Sequence, residues 1–229
     1  MTFTGAGIRR GMRDCIPLLI GVTPFGIVCG IVAQGTGLSW LESSLLSGLC
    51  YAGSAQLVAL ANWGHPAGVV AASFTAFVVN LRLALMGPVL SPWLDRLRGW
   101  RLWGSLFVMA DQNWAQAVRD MNAGGRDAGV LFGSGAIMWV MWVITSAVGY
   151  TLGSIVRPPP GHPLFFAALA VFVSMLASMW RGRGDVMPWL VAAIAASLVA
   201  RLLPGTSWYI VAGALAGSLA GGLRDHYKT

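Results

Sequence analysis

Six segments of this 229-residue chain are apolar over lengths that allow a helix to cross a lipid bilayer. The hydrocarbon core of a bilayer is about 30 Å thick and needs roughly 20 apolar residues in a helix. The chain has 10% charged residues and a mean hydropathy of +0.69, whereas a soluble domain carries roughly 25% charged residues. The segments are Cys15–Gln34, Pro66–Leu90, Gly129–Ile155, Leu164–Trp180, Val186–Leu203 and Trp208–Leu223. The sequence therefore predicts an all-α, polytopic membrane helix bundle that forms one transmembrane domain over residues 1–229.

Two further segments, Leu41–Asn62 and Leu102–Val118, are apolar but disfavour a straight helix that faces lipid. The first mixes glycine, serine and glutamine with its apolar residues, a composition that breaks helices and lines cavities. The second contains Asp111-Gln112-Asn113, three polar residues whose directions spread over about 200° of a helix. Irregular backbone at membrane depth is stable where protein or a water-filled cavity satisfies it. We therefore predict six full spans plus two re-entrant or broken segments, with eight full spans as the alternative.

The net charge of +7 comes largely from arginines in short connectors, such as Arg96, Arg98 and Arg101. No basic stripe interleaved with stacking aromatic residues is present, so the sequence does not predict binding to nucleic acid. Basic residues concentrate in the cytoplasmic loops of membrane proteins. If both doubtful segments are re-entrant, the arginines before the first span share a side with Arg96 through Arg126. We therefore predict a multi-pass protein of the bacterial inner membrane with a cytoplasmic N-terminus.

Residues that bind metals or perform nucleophilic catalysis are sparse. The three cysteines fall in apolar segments without the spacing of metal ligands, and the three histidines lie in connectors or at the tail. Ser54 follows Gly53 on a candidate re-entrant segment, as in a membrane serine protease, but a nucleophile needs a base within hydrogen-bond reach. No histidine lies inside an apolar segment. The sequence therefore predicts no metal, no cofactor and no enzymatic activity.

Two charged residues at membrane depth are the strongest functional signal. Arg82 lies inside Pro66–Leu90, where an arginine costs roughly 2.5–3.5 kcal/mol to insert. Asp111 is the acidic residue that lies well inside an apolar segment. A guanidinium for a carboxylate and a carboxylate for an ammonium suit an amphoteric solute. Two alternatives stay open: Arg82 extends to the end of its helix, or the two residues pair with each other.

Polar residues at membrane depth occur in three short islands, at 53–56, 80–82 and 111–113. Many transporters bind solutes and coupling ions near the midplane, where discontinuous helices expose backbone groups. Asn80 and Arg82 point about 200° apart on an ideal helix, so both reach one cavity only if the helix unwinds. The candidate solute-binding or coupling residues are Arg82, Asp111, Asn80, Gln56, Ser54, Gln112 and Asn113. The candidate helix breaks are Pro24, Gly26 and Gly53.

A ladder of small residues marks the last apolar segment. Gly213, Gly217 and Gly221 are spaced four apart, and this spacing lets helix backbones approach closely. The ladder predicts packing either within the chain or against another subunit, which leaves a higher oligomer open. The sequence contains no convincing internal repeat.

The ordered set of these stretches resembles the AzlC family, the large subunits of two-component exporters of branched-chain amino acids. The resemblance runs from about Gly11 to Arg119, and the C-terminal half is similar in hydropathy alone. The matching stretches are Pro24-Phe25-Gly26, Tyr51-Ala52-Gly53-Ser54-Ala55-Gln56-Leu57, Val79-Asn80-Leu81-Arg82 and Ala110-Asp111.

The resemblance implies efflux of hydrophobic amino acids across the cytoplasmic membrane, together with a small AzlD-like membrane partner. Two positions depart from the family pattern: Leu83 stands where a histidine often follows the arginine, and Gln112 stands where an acidic residue often follows the aspartate. Both departures remove a titratable group, so the usual route of proton coupling and the identity of the solute are in question. A channel-like or structural membrane subunit for another small solute is the alternative.

Overall fold

The computed structural model describes residues 2–61, 63, 69–156, 173, 177, 180, 182–204 and 208–226, without the side chains at 71, 75, 78, 82, 85, 156, 210, 225 and 226. The described residues form eleven α-helices and no β-strand. They are α1 (Gly5–Asp14), α2 (Ile16–Gly35), α3 (Trp40–Cys50), α4 (Gly53–Ala61), α5 (Val69–Met86), α6 (Ser91–Leu94), α7 (Trp100–Phe107), α8 (Asp111–Asn122), α9 (Gly129–Val156), α10 (Val186–Leu202) and α11 (Trp208–His226). Short 3₁₀ turns cover Gly87–Leu90 and Arg183–Asp185.

The all-α class is confirmed, and three of the described helices are long and apolar enough to cross a membrane. They are Ile16–Gly35, Gly129–Ile155 and Arg183–Leu202. Most of the predicted span Leu164–Trp180 lies outside the described residues, so the total of six full spans stays a prediction.

At the centre of the fold, the consecutive helices α1 and α2 pack along the single long helix α9. A Cβ atom on Gly133 would overlap the carbonyl oxygen of Ile8, and one on Gly30 would overlap the carbonyl oxygen of Ser146. The backbones therefore touch, as small residues permit in membrane helices. From the first contact to the second, the residue numbers rise both along α1 and α2 and along α9. Helix α9 therefore runs parallel to α1 and α2. With 28 residues, α9 is about 42 Å long, which matches a bilayer with its headgroups.

Helix α3 enters the fold from the C-terminal end of α9. The Tyr150 hydroxyl donates to the carbonyl oxygen of Leu38 at 2.7 Å, and the Trp139 indole donates to the carbonyl oxygen of Gly48 at 2.9 Å. As α3 advances, its partners on α9 move back toward the middle of that helix. Helix α3 therefore runs antiparallel to α9 and ends near its centre.

The chain then reverses, so that α3 and α4 form a helical hairpin, here called hairpin 1. Tyr51 has a left-handed backbone conformation with φ of 37°, and α4 begins two residues later. The Gln56 side-chain amide donates to the carbonyl oxygen of Leu46 at 2.8 Å, although a straight helix would separate these residues by about 15 Å. Leu60 returns to pack with Leu38, which precedes α3. The segment predicted at Leu41–Asn62 is thus broken and folds back on itself.

Helices α7 and α8 form the equivalent hairpin 2, which enters from the other end of α9. Ring centroids lie 5.7 Å apart for Trp100 and Phe132 and 6.1 Å apart for Phe107 and Trp139, so α7 runs along α9 toward its centre. After the break at 108–110, the Asn113 amide donates to the carbonyl oxygen of Leu131 at 3.3 Å. Helix α8 therefore returns toward the start of α9. Both doubtful segments fold back, which favours the predicted re-entrant or broken segments over the alternative of eight full spans.

Hairpin 1 has the inside-out pattern of a membrane-embedded element. On α3, Leu41, Leu45 and Leu49 are 61%, 50% and 71% exposed, whereas Ser43 and Ser47 are buried. A soluble helix would place these two sets the other way round. The exposed leucines are suited to lipid, and the serines face the rest of the protein.

Helix α5 crosses the fold in the direction opposite to α2. It starts beyond the end of α4, packs Val79 with Ala52 and Ala55, and ends where the Trp114 indole donates to the carbonyl oxygen of Met86 at 2.9 Å. The unit of α2 and hairpin 1 is therefore followed by a unit of α5 and hairpin 2 with inverted topology. Inverted repeats of this kind are common in secondary transporters. The sequence did not reveal this repeat because the two units share an arrangement of helices and not a motif.

The arginines of residues 2–156 concentrate at one end of the fold, here called the arginine end. Leu90, Trp93 and Leu97 pack there with Ala128 at the start of α9. The arginines in this region are Arg9, Arg10, Arg13, Arg96, Arg98, Arg101, Arg119 and Arg126. The described connection at the opposite end, residues 35–42, contains no lysine or arginine. Within residues 2–156 these arginines therefore lie at one end of the fold, and the cytoplasmic location of that end stays a prediction.

The C-terminal helices α10 and α11 pack through the first two glycines of the ladder. A Cβ on Gly213 would lie 3.1 Å from the Ala196 Cβ, and one on Gly217 would lie 2.9 Å from the Ala192 Cβ. Gly221 makes ordinary contact, since its Cβ would be 3.9 Å from Pro188. The structure thus uses Gly213 and Gly217 within the chain.

Candidate functional site

The tips of the two hairpins meet at a cavity of about 60 Å³ in the middle of the fold. Helices α2, α5 and α9 close its sides. The lining residues are Gly21, Val22 and Phe25 of α2, Tyr51, Ala52, Gly53 and Ser54 of hairpin 1, Leu83 of α5, Met109, Ala110, Asp111 and Gln112 of hairpin 2, and Met138 and Trp142 of α9. Both breaks in the chain are therefore directed at one place.

Two helix N-termini converge on this cavity, because the second helix of each hairpin begins at its tip. The first N–H groups of a helix lack intrahelical partners and carry a partial positive charge. Helix α8 has an acidic residue, Asp111, in its first turn, whereas the first turn of α4 contains none. The positive end of α8 is thus balanced by its own carboxylate, and that of α4 has no such acid.

The glycine at the start of α4 is required by two aromatic rings. A Cβ on Gly53 would lie 2.5 Å from ring carbons of both Phe25 and Trp142. These rings stack edge to face with centroids 5.5 Å apart. The rings therefore lie directly against the tip of hairpin 1 and form the apolar wall of the cavity.

Of the predicted polar residues, Ser54, Asp111 and Gln112 line the cavity. Gln56 and Asn80 lie behind the tip of hairpin 1, where the Gln56 amide braces the hairpin and the Asn80 amide lies 4.0 Å from the sulfur of Cys50. Gln56 and Asn80 therefore contact the structure around the cavity and do not line the cavity itself.

Asn113 holds the break of hairpin 2 in shape. Its side-chain oxygen accepts from the Ala110 N–H at 2.6 Å, and its amide donates to the carbonyl oxygens of Val108 and Leu131. The side chain is fully buried. With both ends of its amide engaged in the backbone, Asn113 is placed to position Asp111 rather than to bind a solute.

The predicted helix breaks differ in outcome. Gly53 adjoins the break of hairpin 1, but α2 stays helical through Pro24 and Gly26, so the break predicted there is wrong. Pro24 still lacks the N–H that would bond to the carbonyl oxygen of Ile20. A Cβ on Gly26 would overlap the hydroxyl of Thr145, which makes this glycine a packing residue.

Arg82 lies on the uninterrupted helix α5, and its side chain is outside the described residues. The local unwinding that would turn both Asn80 and Arg82 toward one cavity is not observed in α5. Leu83 lines the cavity at the position after Arg82. The assignment of Arg82 to a solute carboxylate therefore stays a prediction.

Two cavity residues, Tyr51 and Trp142, were not among the predicted site residues. They are 8% and 4% exposed, and neither the Tyr51 hydroxyl nor the Trp142 indole nitrogen has a hydrogen-bond partner among the described residues. Buried tyrosine and tryptophan usually find such partners. The signal in the sequence was the position of Trp142 in the middle of a span, away from the membrane interface. Across the described residues no group of three potential ligands suits a metal ion.

Comparison with known proteins places the chain in a family of membrane proteins. The family model described as AzlC protein matches residues 17–156, which include both hairpins and the whole lining of the cavity. The inner membrane protein YgaZ of Escherichia coli K12 is 28% identical, with 94% of this chain and 88% of YgaZ covered. An uncharacterized membrane protein of Archaeoglobus fulgidus is also 28% identical, with 95% of each chain covered.

A more distant relative is an uncharacterized membrane protein of Haemophilus influenzae, 22% identical over 86% of this chain and 80% of the relative. No solved structure matches the chain significantly. The resemblance first carried by the Gly53–Gln56 and Asn80–Arg82 stretches is confirmed by the family match. The chain is a member of the AzlC family of membrane proteins.

Proposed function

We propose that this chain is the large subunit of a transporter that exports branched-chain or other hydrophobic amino acids across the bacterial inner membrane. The solute class and a small AzlD-like partner come from the family resemblance. We assign proton coupling to Asp111, since a carboxylate at the meeting point of the hairpins can carry a proton between the two sides.

One observation carries the proposal: two broken hairpins enter from opposite ends and meet at a cavity at mid-depth. Transporters commonly bind solutes at such a point, between units of inverted topology. The lining also suits a hydrophobic amino acid, because Ser54 and Asp111 provide polar contacts while Phe25 and Met138 provide an apolar wall.

The size of the cavity bears on the mechanism. It measures about 60 Å³, whereas an apolar cavity that binds benzene measures roughly 150 Å³. A branched-chain amino acid therefore requires the hairpin tips to separate, which is the motion that alternating access needs. The same small volume favours a second candidate, a channel-like pathway for a smaller solute.

Transport in proteoliposomes distinguishes these functions. We expect vesicles that contain this chain and its candidate partner to exchange radiolabelled leucine for internal leucine, isoleucine or valine, and not for lysine or glutamate. A proton gradient should convert exchange into accumulation. Vesicles with the chain alone control for the partner. Uncoupled flux of small ions without leucine exchange would instead support the channel.

The proposed orientation has a separate test by cysteine labelling in a cysteine-free background. We expect Arg98→Cys and Asn122→Cys to be shielded from a membrane-impermeant maleimide in intact cells, since the arginine end should be cytoplasmic. Gly35→Cys, at the exposed opposite end of α2 with open space around its Cβ, should be labelled. Permeabilised cells should show labelling at all three sites. External labelling at Arg98→Cys would overturn the orientation.

A further inference from the structure

We propose that Tyr51, Trp142 and the N-terminus of α4 form a binding subsite for the carboxylate of the transported solute. The proposal rests on the proposed transport function and goes beyond it, since it assigns one functional group of the solute to one part of the cavity. Neither Tyr51 nor Trp142 was predicted as a site residue.

The first evidence is the pair of polar atoms that have no protein partner. Tyr51 and Trp142 are more than nine-tenths buried, both line the cavity, and their hydroxyl and indole N–H groups make no hydrogen bond to the described residues. A buried polar group without a partner is unfavourable. An indole N–H only donates, so the partner that it lacks must be an acceptor.

The second evidence is the electrostatic contrast between the two hairpin tips. Helix N-termini favour anionic ligands, and their first N–H groups point at such a ligand. The first turn of α8 already contains an acid, Asp111, while the first turn of α4 has none. Of the two positive helix ends that meet at the cavity, α4 is therefore the one suited to an anion from outside the chain.

These features together orient a zwitterionic solute. Its carboxylate would accept from Tyr51, Trp142 and the first turn of α4, and its ammonium would face Asp111 across the cavity. The close approach of hairpin 1 to Phe25 at Gly53 leaves an apolar surface for the side chain. The arrangement explains why Tyr51 occupies a left-handed conformation that costs roughly 1–3 kcal/mol: the turn directs both its ring and the α4 N-terminus to the same point.

The test compares three probes that differ in one group, with binding to the purified full-length protein measured by the shift in melting temperature. The probes are L-leucine, leucinamide, which lacks the carboxylate, and 4-methylpentanoate, which lacks the ammonium. We expect leucine and 4-methylpentanoate to stabilise the protein and leucinamide to have no effect. A ligand at one hundred times its Kd stabilises a protein enough to be seen in such a shift.

A matched pair of tyrosine variants separates binding from folding. Tyr51→Phe keeps the ring, and should weaken carboxylate binding about tenfold to one-hundredfold without lowering the melting temperature of the unliganded protein, because the lost hydroxyl had no partner. Tyr150→Phe removes a hydroxyl that donates to Leu38 at 2.7 Å. It should lower the melting temperature and leave carboxylate binding unchanged. Trp142→Phe should behave like Tyr51→Phe in binding.

Each result decides between the two proposals. Equal stabilisation by leucinamide and leucine, or undiminished carboxylate binding in both Tyr51→Phe and Trp142→Phe, would overturn the subsite and leave amino-acid transport standing. Stabilisation by 4-methylpentanoate alone would support the subsite and contradict the proposed solute class. If none of the three probes stabilises the wild-type protein, both proposals fail.

Discussion

Replacing Gly30 by valine should strongly destabilise the protein and lower the yield of folded protein from membranes. The Cβ of any residue at this position would overlap the carbonyl oxygen of Ser146, and a backbone atom cannot move to another rotamer. The parallel pair α2 and α9 would have to separate along the contact that holds the centre of the fold together. Overpacking costs about 1–3 kcal/mol where side chains can adjust, so we expect a loss of at least roughly 3 kcal/mol here, which corresponds to a fall in Tm of roughly 6–12 °C.

The measurement is thermal unfolding of the detergent-purified protein, with the yield of monodisperse protein from membranes as a second readout. Gly35→Val is the matched control, because it lies on the same helix with nothing within 4 Å of its Cβ. Gly149→Ala provides the reciprocal test, since its Cβ would overlap the carbonyl oxygen of Ile27. A double variant of Gly30 and Gly149 should lose less than the sum of the two effects, because helices separated once accommodate the second Cβ more easily. A Gly30→Val protein as stable as Gly35→Val would contradict the close packing.

The sequence predicted the helical class, and the structure places its helices close to the predicted segments. The segment Cys15–Gln34 is observed as Ile16–Gly35, and Val186–Leu203 as Val186–Leu202. Hydropathy succeeds here because every backbone polar group in lipid must be satisfied within a helix. The same rule identified Leu41–Asn62 and Leu102–Val118 as irregular, since their polar residues could not all avoid lipid on a straight helix.

The sequence did not predict which irregular positions would break the helix. Proline at position 24 is tolerated inside α2, whereas the chain reverses at Tyr51, which has no intrinsic preference for a left-handed conformation. The reversal is stabilised by tertiary contacts, such as the Gln56 amide on Leu46 and the Trp139 indole on Gly48. Contacts between residues distant in sequence leave no local pattern in the sequence.

The sequence predicted only part of the candidate site, because the roles of its residues also depend on contacts that leave no local sequence pattern. Charge at membrane depth drew attention to Asp111, which lines the cavity, but Asn113 beside it is used to shape the tip of hairpin 2. A polar residue in an apolar segment indicates a polar partner nearby. That partner can be a backbone group or a bound solute, and the sequence does not distinguish the two. Aromatic residues such as Trp142 are apolar by composition, so their unpartnered N–H group becomes visible only in the folded chain.

We expect Asp111→Asn to abolish accumulation driven by a proton gradient while leaving leucine exchange partly intact. The neutral amide resembles the protonated carboxyl group, so solute can still bind, but no proton can be carried in each cycle. The measurement is leucine uptake into proteoliposomes, with and without an imposed gradient. Asp120→Asn is the matched control on the same helix, because Asp120 pairs with Arg10 at the arginine end, away from the cavity. That variant should accumulate leucine normally, since exposed ion pairs contribute about 0–1 kcal/mol.

Arg82 decides whether Asp111 acts in coupling or merely neutralises a buried charge. If the two residues form a structural pair, Asp111→Asn should lose expression, because removal of one partner of a buried pair costs about 3–5 kcal/mol. The double change of Asp111→Asn with Arg82→Gln should then restore it. If Arg82 binds solute, Arg82→Lys should fail to restore transport, since a point charge replaces a bidentate fork. We expect Asp111→Asn to be expressed normally, and the double change to give no further gain in expression. Both Asp111→Asn and the double variant should lose gradient-driven uptake. Gradient-driven uptake that survives in Asp111→Asn would remove this carboxylate from the mechanism.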